Sequence, residues 1–259
     1  PQHAFAAGWP RKRAMRLLAF IVAAALLTAG CAATPDDTRV DHDPLEGLNR
    51  GVYTVNDALD RVLTKPIARG YQAIVPEPAR RSVTNFSNNL FTPRSMLNNF
   101  LQGKPREGFG EFSRFLLNST VGLAGLFDVA TASGLQANTE DFGQTLAVWG
   151  APPGPFLVLP FRGPSTLRDA LMMPLDIQAD PLYHYDNASV RDKLYVLRII
   201  NLRANLLPLD ALLADSADPY VTLRESYLQN REFEIHDGNP PADEEDDDLF
   251  DEFFEEEEY

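Results

Sequence analysis

The chain of 259 residues carries a formal net charge of −14, and much of the acidic excess lies in residues 243–259. The remaining body is mildly acidic, which argues against nucleic-acid binding and against attraction to anionic lipid head groups by net charge. The single cysteine excludes an internal disulfide, and residues 31–259 are long enough for one domain.

The first 31 residues have the layout of a bacterial lipoprotein signal. A basic cluster, Arg11–Arg16, precedes the apolar run Leu17–Leu27, and small residues lead to Cys31. The run is too short to span a bilayer core of about 30 Å, which needs about 20 residues of helix. We therefore predict that residues 1–30 are a signal peptide and that Cys31 becomes the acylated N-terminus. The alternative is an uncleaved anchor that carries a free thiol.

Three positions near this signal refine the prediction. Met15 is the expected start of translation, because residues 1–14 show no recognisable pattern. Thr28 stands three positions before the cysteine, where leucine is usual. Ala32 follows the cysteine, whereas an aspartate there would favour retention in the inner membrane, so we expect an outer-membrane protein. Residues 31–42 are predicted to be a tether.

Asp43-Pro44 predicts the start of the first helix, with Asp43 as N-cap and Glu46 near the positive helix end. Apolar residues follow at helical spacing and predict a packed stripe over about five turns. Lys65-Pro66 is expected to end this helix. The stripe consists of Leu45, Leu48, Val52, Val55, Leu59 and Val62.

Two further helices are predicted between Pro78 and Gly103. The second begins at Pro78, and Thr92-Pro93 is expected to begin the third, which Gly103 closes. Their apolar faces consist of Val83, Phe86 and Leu90 in the second helix and Met96, Leu97, Phe100 and Leu101 in the third.

The most hydrophobic stretch of the mature chain is Phe109–Ala130. A continuous helix of this length would span about 33 Å, enough to cross a bilayer. Its charged residues would be costly against lipid, and Gly122 and Gly125 indicate a break or a close helix contact. We predict two antiparallel or kinked helices, either a buried pair or a lipid-contacting one. The charged residues are Glu111, Arg114 and Asp128.

A Gly/Pro-rich segment follows a short helix that begins at Asp141 and ends near Trp149. Four prolines between residues 150 and 164 exclude a helix, so the apolar residues 156–161 are predicted to form an extended arm or irregular hairpin. Such an arm could pack over the core or could gate lipid or bind a partner.

The C-terminal third is predicted to be helical and then disordered. Ser165 is expected to cap a helix that Pro174 stops, Asn187 or Ser189 caps a long one, and Asp218-Pro219 opens the last one. Residues 237–259 are predicted to be an acidic disordered tail.

No catalytic, metal or cofactor site is predicted. The chain has no Gly-x-Ser-x-Gly, phosphate-loop or His-Glu-x-x-His motif and no second thiol. His184 beside Asp186 could orient a base, but such adjacency is common.

Nine motifs, in order along almost the whole mature body, resemble the MlaA family, also called VacJ. They are Asp43-Pro-Leu-Glu-Gly-Leu-Asn-Arg50, Tyr53-x-x-Asn56-Asp57, Asn85-Phe-x-x-Asn-Leu90, Asn99-Phe-Leu-Gln-Gly103, Phe112-x-Arg-Phe-Leu-x-Asn-Ser-Thr120, Glu140-Asp-Phe-Gly-Gln-Thr145, Gly154-Pro-Phe-x-x-Leu-Pro160, Gly163-Pro-Ser-Thr-Leu-Arg-Asp169 and Asp218-Pro-Tyr-x-x-x-Arg-Glu-x-Tyr-Leu-Gln229.

This resemblance implies an all-α, ring-like bundle of amphipathic helices over residues 43–236, lodged in the inner leaflet of a Gram-negative outer membrane. It implies partners of three kinds: phospholipid, an outer-membrane porin and a periplasmic lipid carrier. Such proteins pass mislocalised phospholipid from the outer leaflet to the carrier and maintain lipid asymmetry. The resemblance implies that the family's structure or function depends on the signature residues Asp43, Pro44, Glu46, Asn49, Arg50, Asp218, Pro219 and Tyr220. The candidate lipid-contacting residues are Phe109, Phe112, Phe115, Gly122, Gly125, Phe156, Leu157 and Leu159.

Two other functions remain open at this point. A structural lipoprotein could scaffold a porin or envelope complex without moving lipid. A phospholipid-cleaving enzyme is disfavoured by the missing nucleophile motif. The charged residues Glu46, Arg50 and Arg114 could form structural pairs or line a polar strip for head groups.

Overall fold

The computed structural model describes residues 43–241, so the predicted signal, Cys31, the tether and the predicted tail from residue 242 lie outside the described residues. Ten α-helices and one β-hairpin are described. The helices are α1 (Glu46–Leu59), α2 (Lys65–Ile74), α3 (Glu77–Leu101), α4 (Pro105–Thr120), α5 (Val129–Ala132), α6 (Phe142–Val148), α7 (Leu167–Ala179), α8 (Ala188–Leu206), α9 (Asp210–Asp215) and α10 (Pro219–Ile235), and the strands are β1 (Phe156–Leu159) and β2 (Gly163–Thr166).

The elements pack as a closed circuit, which confirms the ring-like helical fold. The hairpin lies between α1 on one side and α7 and α10 on the other. From α7 the contacts continue through α6, α3, α8 and α2, and α2 joins α1 through a π-helical turn, Asp60–Thr64. The most extensive helix pair is α3 with α4, which are joined by a short turn.

Three prolines do not mark helix boundaries where the sequence predicts them. Pro66 follows the π turn at the start of α2, Pro93 lies inside α3, and Pro174 lies inside α7. The π turn shifts the hydrogen-bond register immediately before Pro66, so that the missing N–H of proline falls where the ladder is already displaced. In α3 the Thr92 hydroxyl donates to the Asn88 carbonyl, and packing against α4 holds the helix together. The second and third predicted helices are therefore one helix.

Helix ends confirm most of the predicted caps, and two caps differ. Asp141 forms a capping box with Gln144, and Asn187 and Asp218 cap α8 and α10. Thr166, rather than Ser165, caps α7. Asp43 does not cap α1, because that helix begins only at Glu46 and the Asp43 carboxylate turns towards other partners.

The 150–164 segment forms an antiparallel hairpin, with Phe156 opposite Thr166 and Leu159 opposite Gly163. Phe156 and Val158 are buried in a small apolar cluster with Tyr220 of α10. Of the two roles expected for this arm, β1 therefore packs against the core. Phe156, which was predicted to contact lipid, is buried inside the protein instead. Leu157 and Leu159 are half-buried.

Two side chains of α1 take the place of a third strand on the free edge of β1. Asn49 donates to the Phe156 carbonyl and accepts from the Val158 N–H, both at 2.9 Å. Seven residues later, about two turns along the helix, Asn56 does the same with the Leu159 carbonyl and the Phe161 N–H, also at 2.9 Å. Hydrogen bonding thus fixes the hairpin to α1, because buried backbone groups need partners.

Candidate functional site

The interior of this bundle is polar. Among the described residues, 19 buried side chains are polar or charged and 7 are apolar, whereas 33 large apolar side chains are exposed. No described helix is both long enough and sufficiently apolar to cross a bilayer. A protein with this distribution has a surface suited to a hydrophobic medium and an interior suited to polar groups.

The apolar stripes predicted to pack are largely the exposed faces. The side chains of Val55 in α1 and Val62 in the following π turn are exposed, while Asn49 in α1 is buried. In α3 the predicted apolar face is half-buried or exposed, and the buried residues are Asn89, Thr92, Ser95, Asn98 and Asn99. These polar residues recur at helical spacing, which is the sequence signal that could have identified the inward face.

Helix α4 shows the same inversion in the most hydrophobic stretch. Gly108, Glu111, Arg114 and Asn118 face inward, whereas Phe109, Phe112 and Leu116 are exposed. The predicted break after this helix is confirmed, since α4 ends at Thr120 and turns into α5. The charges are not placed against lipid, because they are buried within the bundle.

The buried charges of α4 form one network with the following loop. The Arg114 guanidinium lies 3.3 Å from both carboxylate oxygens of Asp128 and donates to Thr131 at 2.9 Å. Asn118 donates to Asp128 at 3.0 Å, and the Asn138 N–H donates to Glu111 at 2.7 Å. Burial raises the pKa of the Glu111 carboxyl above its usual range.

Gly122 and Gly125 lie in the tight turn after α4. A Cβ atom on Gly122 would lie 2.3 Å from the Phe127 carbonyl oxygen, and one on Gly125 would lie 2.5 Å from the Asn89 side chain. Gly125 also has a φ of +89°, which favours glycine. Both glycines are buried by close packing against their own chain rather than presented to lipid.

Two polar cavities follow one face of α3. The first, of about 270 Å³, lies between α3 and the Glu111–Arg114–Asp128 network. The second, of about 410 Å³, lies between the start of α3, α2 and the end of α8. Asn85 lines both of them. We name the two cavities together the α3 groove; its helix residues are Glu77, Arg80, Arg81, Thr84, Asn85, Asn88, Phe91, Thr92 and Ser95.

The groove residues recur every three or four positions, so they form one continuous stripe. From residue 77 to residue 95 a helix rises about 27 Å at about 1.5 Å per residue. Apart from Phe91 the stripe is polar, and the exposed face of the neighbouring helix α4 carries apolar side chains. This polar stripe was not predicted from the sequence, where only the apolar side of α3 was expected to pack.

The signature residues form a joint between the first and last helices. The Asp43 carboxylate accepts hydrogen bonds from Asn49, at 2.8 Å, and from the Tyr220 hydroxyl. Arg50 binds both carboxylate oxygens of Asp218, at 3.2 and 2.7 Å, and lies 2.6 Å from Glu46. Burial and the nearby Asp43 carboxylate raise the pKa of Tyr220. Arg50 and Glu46 are thus structural pairs; of the two prolines, Pro219 opens α10 and Pro44 lies in the turn before α1.

A buried arginine holds α10 to α6 and α7. Arg231 donates to Asp141 at 2.7 Å and to Asp169 at 3.0 Å, and it also reaches Glu234 at 3.0 Å. These contacts lower the pKa of Asp169 despite its burial. The nearby Asp176 has the opposite shift: burial raises its pKa to about 6, although Arg94 lies 3.6 Å away.

Two further residues singled out in the sequence are Phe115, a candidate for lipid contact, and His184, a candidate base. Phe115 is half-buried. The His184 Nε2 atom lies 2.6 Å from the Gln178 carbonyl, so the ring is engaged by backbone rather than by a hydroxyl nucleophile. Within residues 43–241 no group of three His, Cys, Asp or Glu residues is arranged to hold a metal ion.

Comparison with known proteins relates this geometry to a family. The family model described as "MlaA lipoprotein" matches residues 41–234. The chain is 39% identical over 250 residues to "Intermembrane phospholipid transport system lipoprotein MlaA" of Escherichia coli (strain K12), covering 92% of this chain and 98% of the relative. The protein of the same name from Haemophilus influenzae is 33% identical over 228 residues, covering 86% and 91%.

A solved structure also matches. It is described as "Structural basis for maintenance of bacterial outer membrane lipid asymmetry", and it superimposes with a TM-score of 0.66 at 39% sequence identity, covering 74% of this chain and 98% of that one.

Proposed function

The chain belongs to the MlaA lipoprotein family, and from that membership we propose that it removes mislocalised phospholipid from the outer leaflet of a Gram-negative outer membrane and passes it to a periplasmic carrier, so that lipid asymmetry is maintained. The observation that carries this proposal is the inverted distribution of polarity: a polar groove inside and an apolar surface outside.

The apolar surface supports placement in lipid. Among the described residues, 33 large apolar side chains are exposed. At about 1 kcal/mol for each partly exposed side chain, transfer of these apolar side chains from water to hydrocarbon is favourable by on the order of 30 kcal/mol. A surface of this kind suits a hydrophobic surrounding, and burial of the apolar helix faces in one leaflet would supply it.

The α3 groove supports movement of lipid rather than simple anchoring. A phospholipid has a charged head group and apolar chains, so a path for it requires polar and apolar surfaces side by side. The groove supplies the polar surface along about 27 Å of helix. The exposed face of α4 supplies apolar side chains beside it.

Anchoring and partners belong to the same proposal. Acylation of Cys31 would hold the protein at the membrane, since each buried methylene contributes about 0.8 kcal/mol. A porin beside the bundle and a soluble periplasmic carrier are the partners we propose from the family resemblance. The protein performs no bond-breaking step in this scheme, and lipid movement is passive or driven by its partners.

A scaffold that moves no lipid is the alternative, because an apolar surface also suits a protein partner. The two can be separated by photo-crosslinking in outer membranes, with a benzophenone side chain placed at one of two positions. Phe91 is half-buried and lines the groove, whereas Leu116 lies on the exposed apolar face of α4. A transporter should crosslink phospholipid at both positions, and a scaffold should crosslink it only at Leu116.

Gly122 and Gly125, two of the candidate lipid-contacting residues, are unsuitable positions for such a test. Their close packing means that a larger side chain would disrupt the turn itself. The enzyme alternative has its own assay: purified protein incubated with phospholipid should release neither fatty acid nor lysophospholipid, and release of either would contradict the transport scheme.

A further inference from the structure

One arginine of the α3 groove differs from the other charged groups around it. Arg80 lines the 410 Å³ cavity, and its Nε atom is buried with no hydrogen-bond partner. Within residues 43–241 its side chain forms no ion pair, whereas the adjacent Arg81 is paired with Glu77 one turn earlier. A buried donor without a partner is costly, so this position favours binding of an acceptor that residues 43–241 do not supply.

The neighbouring polar groups do not provide that partner, because their bonds are made with one another. The Gln72 amide donates to the Ala204 carbonyl at 2.7 Å. The Thr84 hydroxyl donates to the Arg80 carbonyl and accepts from the amides of Asn201 and Asn205, at 2.8 and 3.2 Å. The polar groups around the cavity therefore hold one another in place, and the Arg80 guanidinium has no ion-pair partner among residues 43–241.

The cavity has the size and chemistry of an anion site. Its volume of about 410 Å³ lies within the about 300–1,000 Å³ usual for small-ligand pockets. A guanidinium presents a planar set of donors that matches two oxygens of a phosphate, and charge-assisted hydrogen bonds of this kind are among the strongest in proteins. Glu77 is the one carboxylate in the lining, and it is engaged by Arg81.

We propose that Arg80 binds the phosphate group of a phospholipid at the α2–α3–α8 end of the α3 groove. The site rests on the proposed function, because this cavity shares the lining residue Asn85 with the 270 Å³ cavity and belongs to the same polar stripe of α3. A head group held there lies at one end of the α3 groove.

Binding to purified full-length protein in non-ionic detergent tests this assignment. The probes are phosphatidylethanolamine, diacylglycerol, which has no phosphate, and inorganic phosphate. Arg80→Gln should bind phosphatidylethanolamine about tenfold or more weakly, as loss of charge-assisted hydrogen bonds implies, and should bind diacylglycerol as the wild type does. The matched control is Arg69→Gln, which removes the same charge from an exposed arginine that lines neither cavity; it should change neither affinity.

Equal phosphatidylethanolamine affinities for Arg80→Gln and Arg69→Gln would overturn the assignment. So would a result in which inorganic phosphate stabilises the wild type through Arg80 while lipid binding is unaffected, since the site would then be for free phosphate. Arg80→Lys keeps the charge and loses the planar donor pair, so it should have intermediate affinity even if Arg80→Gln is unstable; wild-type affinity would contradict the proposed geometry.

Failure of this site and failure of the proposed function are distinguishable in cells. If deletion of the gene leaves surface phospholipid unchanged, the transport proposal fails whatever Arg80 binds. If deletion raises surface phospholipid and Arg80→Gln restores it fully, transport stands and the phosphate site is wrong.

Discussion

Replacing Asn49 with leucine should remove hydrogen bonds that hold the hairpin to α1 and so lower the free energy of unfolding. In the native protein Asn49 is almost fully buried and bonds both the Phe156 carbonyl and the Val158 N–H at 2.9 Å. Leucine has a similar size but cannot bond either group, so two buried backbone groups lose their partners. At about 1–3 kcal/mol for each, Asn49→Leu should lower the free energy of unfolding by about 2–6 kcal/mol, a large share of the about 5–15 kcal/mol of a typical domain.

The matched control is Asn56→Leu. Asn56 makes the same two kinds of hydrogen bond with Leu159 and Phe161, also at 2.9 Å, but towards the exposed hairpin tip, where Phe161 is 84% exposed. Water can replace those bonds, so the loss should be about 1 kcal/mol or less. Urea unfolding in mild detergent, followed by helical circular dichroism, gives both values. Equal, small losses for the two variants would refute the view that Asn49 completes the edge of β1.

Three further predictions follow from particular contacts. Arg231→Met should destabilise the protein by about 3–5 kcal/mol, because it removes the cation that pairs with both Asp141 and Asp169 in the interior. Arg61→Met, at an exposed pair with Asp57, should cost about 1 kcal/mol or less; similar thermal midpoints for the two variants would contradict this. Gly125→Ala should lower the thermal midpoint because of its φ of +89° and the Asn89 contact, whereas Gly51→Ala, in open space within α1, should raise stability by about 0.5–1 kcal/mol. Burial raises the pKa of Asp176 from 3.8 to about 6 in the folded state, so the folded protein binds this proton more tightly than the unfolded chain does. The free energy of unfolding, relative to that of Asp176→Asn, should therefore rise by on the order of 3 kcal/mol as the pH falls from about 7 to about 4. A difference independent of pH would show that the carboxyl is not desolvated.

Helix termini were predictable because they depend on neighbouring residues alone. The caps at Asp141, Asn187 and Asp218, and the hairpin in the proline-rich segment, require only local hydrogen bonding and the fixed φ of proline. Pro66, Pro93 and Pro174 were predicted wrongly because the π turn and tertiary packing override the local preference.

Which face of each helix points inward could not be predicted from a rule that buries apolar residues. That rule assumes water outside, and in this protein Asn98 and Asn99 are fully buried while Phe109 is 63% exposed. The family motifs identified important residues such as Asn49 and Arg50 but not their roles, because those roles depend on partners more than 100 positions away. The α3 groove needed the structure, since its second wall comes from α2 and α8.

The central claim is that this protein keeps phospholipid out of the outer leaflet, and the amount of phosphatidylethanolamine at the cell surface measures it directly. Intact cells can be labelled with an amine reagent that does not cross the outer membrane, and the labelled lipid can be quantified after extraction. A clean deletion should raise labelled phosphatidylethanolamine, and the wild-type gene should restore the original amount. Unchanged labelling in the deletion strain would contradict the proposed function.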